Sequence, residues 1–300
     1  MKSSSTDGAT RLKRLIKRKG CTAVPGVTNP AVALLAAKAG FKALYFSGAG
    51  FSGSLGLPDL GVTTLTEVSS AVGQITSQTS LPVIVDADTG FGEAVNVART
   101  VAEMERVNAA AIQIEDQVTP KRCGHLAGKQ LVPVEEMVEK LIAAKEASAS
   151  GLVIIARTDA ASVAGIDEAI ARARLYARAG ADIIFPEALR NAGEFREFAR
   201  KVQMPLVANM TEFGKTDYIT VSQFEKLGYR LVLFPVTVFR AMMKSAQDAL
   251  EELALKGTQK RLLNKMMDRE EFYRLIDYRA HESLDKKASD RASKLLDTNL

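Results

Sequence analysis

LPVIVDADTGFG, Leu81 to Gly92, is apolar from Leu81 to Val85 and then turns polar at Asp86 and Asp88. A Val/Ile-rich run without alternation is what a parallel strand buried on both faces looks like. The aspartates then mark its C-terminal end, and the glycines after them let the backbone turn close to a ligand. The pattern repeats in CTAVPGV (21–27), KALYFSG (42–48), AAIQIED (110–116), LVIIARTD (152–159), ADIIFPE (181–187), MPLVANM (204–210) and RLVLFPV (230–236). Amphipathic stretches such as Pro133 to Ser148 and Ile166 to Ala179 lie between the runs. Eight strand–helix units predict an α/β chain folded as a (β/α)8 TIM barrel. The competing architecture, an open doubly wound sheet, concentrates its site at one switch point. Here polar residues crown nearly every run: Ser47, Asp86, Asp88, Glu115, Asp116, Arg157, Asp159, Glu187 and Asn209.

No linker interrupts the units, so residues 1–300 are expected to form a single domain. It would carry an N-terminal helix over about 7–19, where Leu12, Leu15 and Ile16 are helically spaced, and a helical tail over about 257–300. With 47% hydrophobic and 25% charged residues, the chain can bury a substantial core. The net charge of +5 is concentrated in RLKRLIKRKG near the start, and elsewhere cations alternate with carboxylates, which argues against a nucleic-acid partner. No apolar run reaches the roughly 18 residues of a membrane helix, so no membrane association and a cytoplasmic location are expected. Cys21, in an apolar run, and Cys123, in a charged loop, are expected to be free thiols.

Asp86 and Asp88, two apart at a strand end, point the same way, and such hard carboxylates suit Mg²⁺ or Mn²⁺; turn and capping roles are the alternative. Asp59, Glu115 and Glu187 are expected at comparable positions. KRCGHLAGK, Lys121 to Lys129, follows the fourth run and would be a loop at the catalytic face. Cys123 beside Lys121, Arg122 and His125 can serve as a general acid, a nucleophile or a metal ligand, or be an ordinary exposed thiol. YFSGAGFSGSLGLPDLG, Tyr45 to Gly61, offers backbone N–H groups that could hold an anion, or is a flexible glycine loop. Arg157, Arg240 and Arg269 at one mouth would suit a di- or tricarboxylate.

In order and spacing, YFSGAG, GLPDLG, VDADTGFG, IQIEDQ, KRCGH, IARTDA, FPEA, ANMTEFG and FPVTVFRAM resemble the isocitrate lyase and phosphoenolpyruvate mutase superfamily. KRCGH resembles its lyase branch. The resemblance implies a barrel whose eighth helix is swapped between subunits of a homotetramer, a mobile KRCGH loop and a Mg²⁺ site with Asp86 as direct ligand and Asp59, Asp88 and Glu115 acting through waters. It implies that Ser47, Gly48, Ala49 and Arg157 hold a keto acid and that Glu187, Asn209, Thr211, Arg240 and Arg269 hold a succinate half. Arg122 and Gly124 join the substrate-binding set, and Phe185 and Leu233 border an extra methyl group. Catalytic roles fall to Cys123 as proton donor, to Lys121 and His125 beside it, and to Tyr45 as candidate base. The reaction implied is cleavage of 2-methylisocitrate to pyruvate and succinate, as in propionate catabolism. The alternatives are a 2-alkylmalate lyase, an oxaloacetate decarboxylase, a carboxyphosphonoenolpyruvate mutase or a non-catalytic metabolite-binding barrel. SGAG stands where SGGG is expected, so the Ala49 methyl is expected to crowd a ligand, and the loop after it is one residue shorter.

Overall fold

The computed structural model describes residues 8–297; position 7 of the predicted N-terminal helix and 298–300 of the predicted tail lie outside them. By its contacts the chain divides into two compact units, one ending at Ala241 and one beginning at Met242.

In the first unit, strands β1 (Thr22–Val27), β2 (Leu44–Phe46), β3 (Val83–Asp86), β4 (Ala111–Glu115), β5 (Val153–Thr158), β6 (Ile183–Pro186), β7 (Val207–Asn209) and β8 (Leu231–Phe234) pair in parallel in the order β6-β5-β4-β3-β2-β1-β8-β7. A parallel bridge between Ile184 and Leu206, with the Ile184 N–H bonded to the Pro205 carbonyl at 3.0 Å, brings the two end strands together into a nearly closed barrel. Around it run α1 (Gly8–Lys17), α2 (Pro30–Lys38), α3 (Gly48–Ser54), α4 (Leu65–Gln78), α5 (Ala94–Arg106), α6 (Val134–Ala147), α7 (Ala160–Val163), α8 (Ile166–Arg178), α9 (Ala192–Lys201) and α10 (Val221–Leu227). Each predicted run holds a strand, and α6 and α8 match the two predicted helical stretches.

Period-two alternation divides the strand side chains between two cores. Val83, Val85, Ile112, Ile114, Ile154 and Ile184 face the helices. Val24, Tyr45, Ile84, Ala111, Val153, Ile155, Ile183, Phe185, Val207, Leu231 and Leu233 fill the barrel together with Leu12 and Ile16 of α1, so the predicted amphipathic helix packs its apolar face into the barrel's floor. Moving along the strands toward their C-termini, the same inward positions become Asp86, Gln113, Glu115, Arg157 and Asn209. The register places Glu115 opposite Arg157 and Asn209 opposite Leu233. Gly26 lets β1 approach β8: a Cβ there would lie 1.8 Å from the Pro235 carbonyl oxygen.

The second unit contains most of α11 (Thr237–Lys256), a 3-10 turn at Lys260–Lys265, α12 (Arg269–Leu275) and α13 (Tyr278–Asp297). Asp268 caps α12, accepting the Glu271 N–H at 2.7 Å. None of the α11 side chains is buried, and Met242, Met243, Leu250, Leu253 and Leu255 are exposed. Among the described residues no helix is long and apolar enough to cross a membrane.

Candidate active site

A cavity opens at the strands' C-terminal ends. Its walls include Tyr45, Ser47, Ala49, Asp59, Asp86, Lys121, Cys123, Gly124, His125, Arg157, Phe185, Glu187, Asn209, Thr211, Leu233 and Arg240, most of the residues singled out from the sequence.

Asp86 accepts the Gly48 N–H at 3.2 Å and the Asp88 N–H at 3.3 Å. Gly48 is closely packed: a Cβ would sit 3.1 Å from Asp86 Oδ2, so the carboxylate would have to give by a few tenths of an ångström. Glu115 is 1% exposed, and neither of its carboxylate oxygens receives a hydrogen bond; its cation partner is Arg157, 3.2 Å away. Burial first, then Asp159 and Asp86 against the pull of Arg157 and Lys121, raises the Glu115 carboxyl well above the usual range. Asp88 is buried too, which lifts it to about 6 although Lys121 opposes the shift. Asp59 is a correction: it stands in the loop between α3 and α4, not at a strand end. It reaches the site through Lys121, whose Nζ contacts it and lies 2.8 Å from Asp88 Oδ1.

Among the described residues no three carboxylate, thiol or imidazole groups converge into a direct metal cluster. Magnesium typically takes one or two carboxylates and keeps several waters, so it needs no such cluster. The unbonded Glu115 oxygens beside Asp86 and Asp88 form an oxygen-only acceptor set of the kind this ion uses.

Across the mouth, Arg157 spans Glu115, Asp159 (Nε to Oδ2 at 2.9 Å) and Glu187 (3.9 Å), with its guanidinium 5.4 Å from the Phe185 ring centroid. Asn209 Nδ2 donates to both Glu187 oxygens at 3.2 Å. Burial alone would raise Glu187, but Arg157 and then His125 outweigh it and bring the carboxyl down to about 2. Arg240 donates to the Glu212 carbonyl at 3.3 Å and stacks over Phe213.

The KRCGH segment covers this floor. Lys121 goes to Asp59 and Asp88, and His125 Nε2 lies 2.9 Å from Glu187 Oε1 while Nδ1 accepts the Lys215 N–H at 3.1 Å. Lys121 and His125 are therefore engaged in holding the loop. Arg122 is exposed, its guanidinium near Gly128, and does not line the cavity. Arg269 belongs to the second unit, where it opens α12. Tyr45 is a further correction. Its O–H donates to Gln113 at 2.7 Å, and burial, then Asp86, pushes its pKa well above 10, so it is a neutral donor and not a ready base. The first half of the glycine-rich stretch after β2 is helix α3, and only the part beyond Ser54 is a loop. Ser47 caps α3 by accepting the Gly50 N–H at 3.1 Å, and Phe51 packs on Phe46 with ring centroids 5.1 Å apart. Both cysteines are free, and burial pushes the Cys21 thiol up to about 12.

Sequence reasoning missed Gln117, Lys129 and Gln113. Gln117 pairs with the Arg122 backbone in both directions at 2.9 Å, and Lys129 Nζ donates to Asp159 Oδ1 at 2.7 Å and to the Gly124 carbonyl. The final Lys of KRCGHLAGK was the available signal for the second.

A sequence model of the family described as phosphoenolpyruvate phosphomutase matches residues 12–254. The chain belongs to the phosphoenolpyruvate mutase and isocitrate lyase superfamily. Relatives include 2-methylisocitrate lyase of Aeropyrum pernix, 58% identical over 95% of this chain and 92% of that one, and 2-methylisocitrate lyase of Bacillus subtilis, 46% identical over 95% and 94%. Among solved superfamily structures, a 2,3-dimethylmalate lyase aligns with TM-score 0.89 and 36% identity, covering 94% of this chain and 96% of that one. A phosphonopyruvate hydrolase in complex with oxalate and Mg²⁺ aligns with TM-score 0.85 and 27% identity, covering 94% and 99%.

Proposed function

We propose that this superfamily member is a magnesium-dependent carbon–carbon lyase that cleaves 2-methylisocitrate to pyruvate and succinate by a reverse aldol reaction, in propionate catabolism. The observation that carries the reading is the placing of Cys123 in one cavity with Asp86, Arg157 and Glu187. A proton donor thereby faces both a hard-cation site and an anion-binding wall. Identity to the named 2-methylisocitrate lyases supports it.

Asp86 would hold the ion directly, with Asp59, Asp88 and Glu115 acting through waters; manganese has the same donor preference. Bound there, the ion supplies Lewis-acid polarisation of the substrate hydroxyl and its neighbouring carboxylate. Ser47, Gly48, Ala49 and Arg157 hold the keto-acid half. Glu187, Asn209, Thr211 and Arg240, joined by Arg269, hold the succinate half. The hydroxyl proton passes to a solvent water in the open cavity, the carbon–carbon bond breaks, and its electron pair stays on the succinate carbon. Cys123 gives that carbon its thiol proton. Tyr45, as a neutral phenol, orients the hydroxyl, while Phe185 and Leu233, which flank Asn209 on β6 and β8, form the apolar wall for the methyl group.

Likeness to the 2,3-dimethylmalate lyase favours a 2-alkylmalate as second reading. Coupled assays of pyruvate release on 2-methylisocitrate, isocitrate, alkylmalates and oxaloacetate, with Mg²⁺ and with chelator, decide between them by kcat/KM. A preference for an alkylmalate, or turnover that survives chelation, overturns the proposal. The exposed apolar side chains of α11 support a helix-swapped homotetramer, and we take residues 1–300 as one domain of a cytoplasmic enzyme.

A further inference from the structure

Lys129 lies at the far end of the KRCGH loop, where Leu126, Ala127 and Gly128 are exposed. Its side chain nevertheless turns inward to 2% exposure. A lysine taken out of water needs good partners, and this one has two: the Gly124 carbonyl, and Asp159 Oδ1 at 2.7 Å. Asp159 is itself fully buried and takes two further hydrogen bonds from Arg157, Nε to Oδ2 at 2.9 Å and Nη2 to Oδ1 at 3.2 Å. Its own N–H donates to Asp116 at 2.8 Å, which fixes the carboxylate to the barrel.

Gly124 completes the circuit. A Cβ built on it would lie 2.6 Å from Arg157 Nη2 and 2.5 Å from Glu187 Cγ, so the loop backbone presses on the two side chains that wall the cavity. Lys129 holds the carbonyl of that same glycine, and Cys123 is the residue before it.

We infer that Lys129 is a positioning residue: through Asp159 it ties the catalytic loop to Arg157, so that loop closure and the orientation of the substrate-facing arginine are one event. The inference rests on the proposed lyase reading for its consequence in turnover, but not for the loop's placement.

The test measures both. Iodoacetamide labels Cys123 in a folded chain at a rate that reports how often the loop opens, with Cys21, half-buried like Cys123 but outside the loop and just before β1, as the internal reference. In Lys129→Met, with folding checked by circular dichroism, Cys123 labelling is expected to rise at least about tenfold. Pyruvate release from 2-methylisocitrate is expected to fall about 100-fold in kcat, the cost of misplacing a reacting group by an ångström. Lys129→Arg, which keeps the charge, is expected to recover part of both. Gly124→Ala, whose methyl would force the loop off Arg157 and Glu187, is expected to raise labelling in the same way without altering the barrel.

Wild-type labelling rates in folded Lys129→Met or in Gly124→Ala overturn the inference, as does faster labelling with unchanged kcat. If Lys129→Met does not fold, Gly124→Ala decides. If the unaltered protein releases no pyruvate from any of the acids while labelling still rises in both variants, the lyase reading fails and the loop tie stands.

Discussion

Replacing Cys123 by serine keeps a donor of similar size but weakens its acidity by several orders of magnitude, so the proposed proton transfer to the succinate carbon should suffer while binding does not. A fall of about 10²- to 10⁴-fold in kcat with a near-normal KM is expected from coupled pyruvate assays. Tyr45→Phe tests the reassigned phenol: a loss of an orienting hydrogen bond lowers turnover by about tenfold, whereas loss of an essential base would lower it far more. Glu187 lends itself to a pH experiment. Its carboxyl is held at about 2 against 4.5 in the unstructured chain, so its contribution is fully present above pH 4.5 and disappears as pH falls through 2. Glu187→Gln is therefore expected to destabilise the protein at pH 6, by on the order of 3 kcal/mol, and much less at pH 2.5. Urea denaturation at the two pH values checks it; an equal deficit at both would mean that packing, not charge, holds Glu187 in place.

At the level of strands and helices, Gly26 and Gly73 make a controlled pair. Gly26→Ala puts a methyl 1.8 Å from the backbone oxygen of Pro235, which cannot yield as a flexible side chain can; a loss of about 3 kcal/mol or failure to fold is expected. Gly73 lies inside α4, where an added Cβ would meet Val107 at 3.4 Å, ordinary contact. Gly73→Ala is expected to stabilise by about 0.4–1 kcal/mol in the same urea titration, because alanine has less chain entropy to lose and the better helix propensity. The eight strands were readable in the sequence because each is a mostly apolar run and nearly every one ends in or beside a polar residue, as at Val83–Asp86. The helix after β2 was not, because Gly48, Gly50 and Gly53 are poor helix formers; tertiary packing of Phe51 and the Ser47 cap override that propensity. Asp59 shows a related limit: its motif was recognisable, but only the Lys121 contact across the fold reveals how a loop aspartate reaches the strand ends. Gln117 carried no local signal and Lys129 only its place at the end of KRCGHLAGK, since a glutamine or lysine in a polar loop normally faces water and their partners at Arg122 and Asp159 are known only once the loop has folded.

For the whole molecule, α11 decides how the chain is completed. Met243, Ala246, Leu250 and Leu253 recur at spacings of three and four, the seam along which one helix packs on another. Met243, Leu250 and Leu253 are 53%, 67% and 43% exposed in the single chain. A seam of that kind left in water favours association, and association by identical chains closes most simply through two-fold axes. If the proposed tetramer forms, Leu250→Glu with Leu253→Glu is expected to shift sedimentation toward smaller species, because two carboxylates buried without partners cost more than the contact provides. The first unit, from β1 to β8, contains its own two cores and should retain its circular dichroism in that variant. Turnover separates the remaining possibilities. If Arg269 reaches the succinate half only in the assembled protein, the dissociated variant keeps its fold and loses pyruvate release; if it keeps both, the barrel alone carries the chemistry and Arg269 has no part in it.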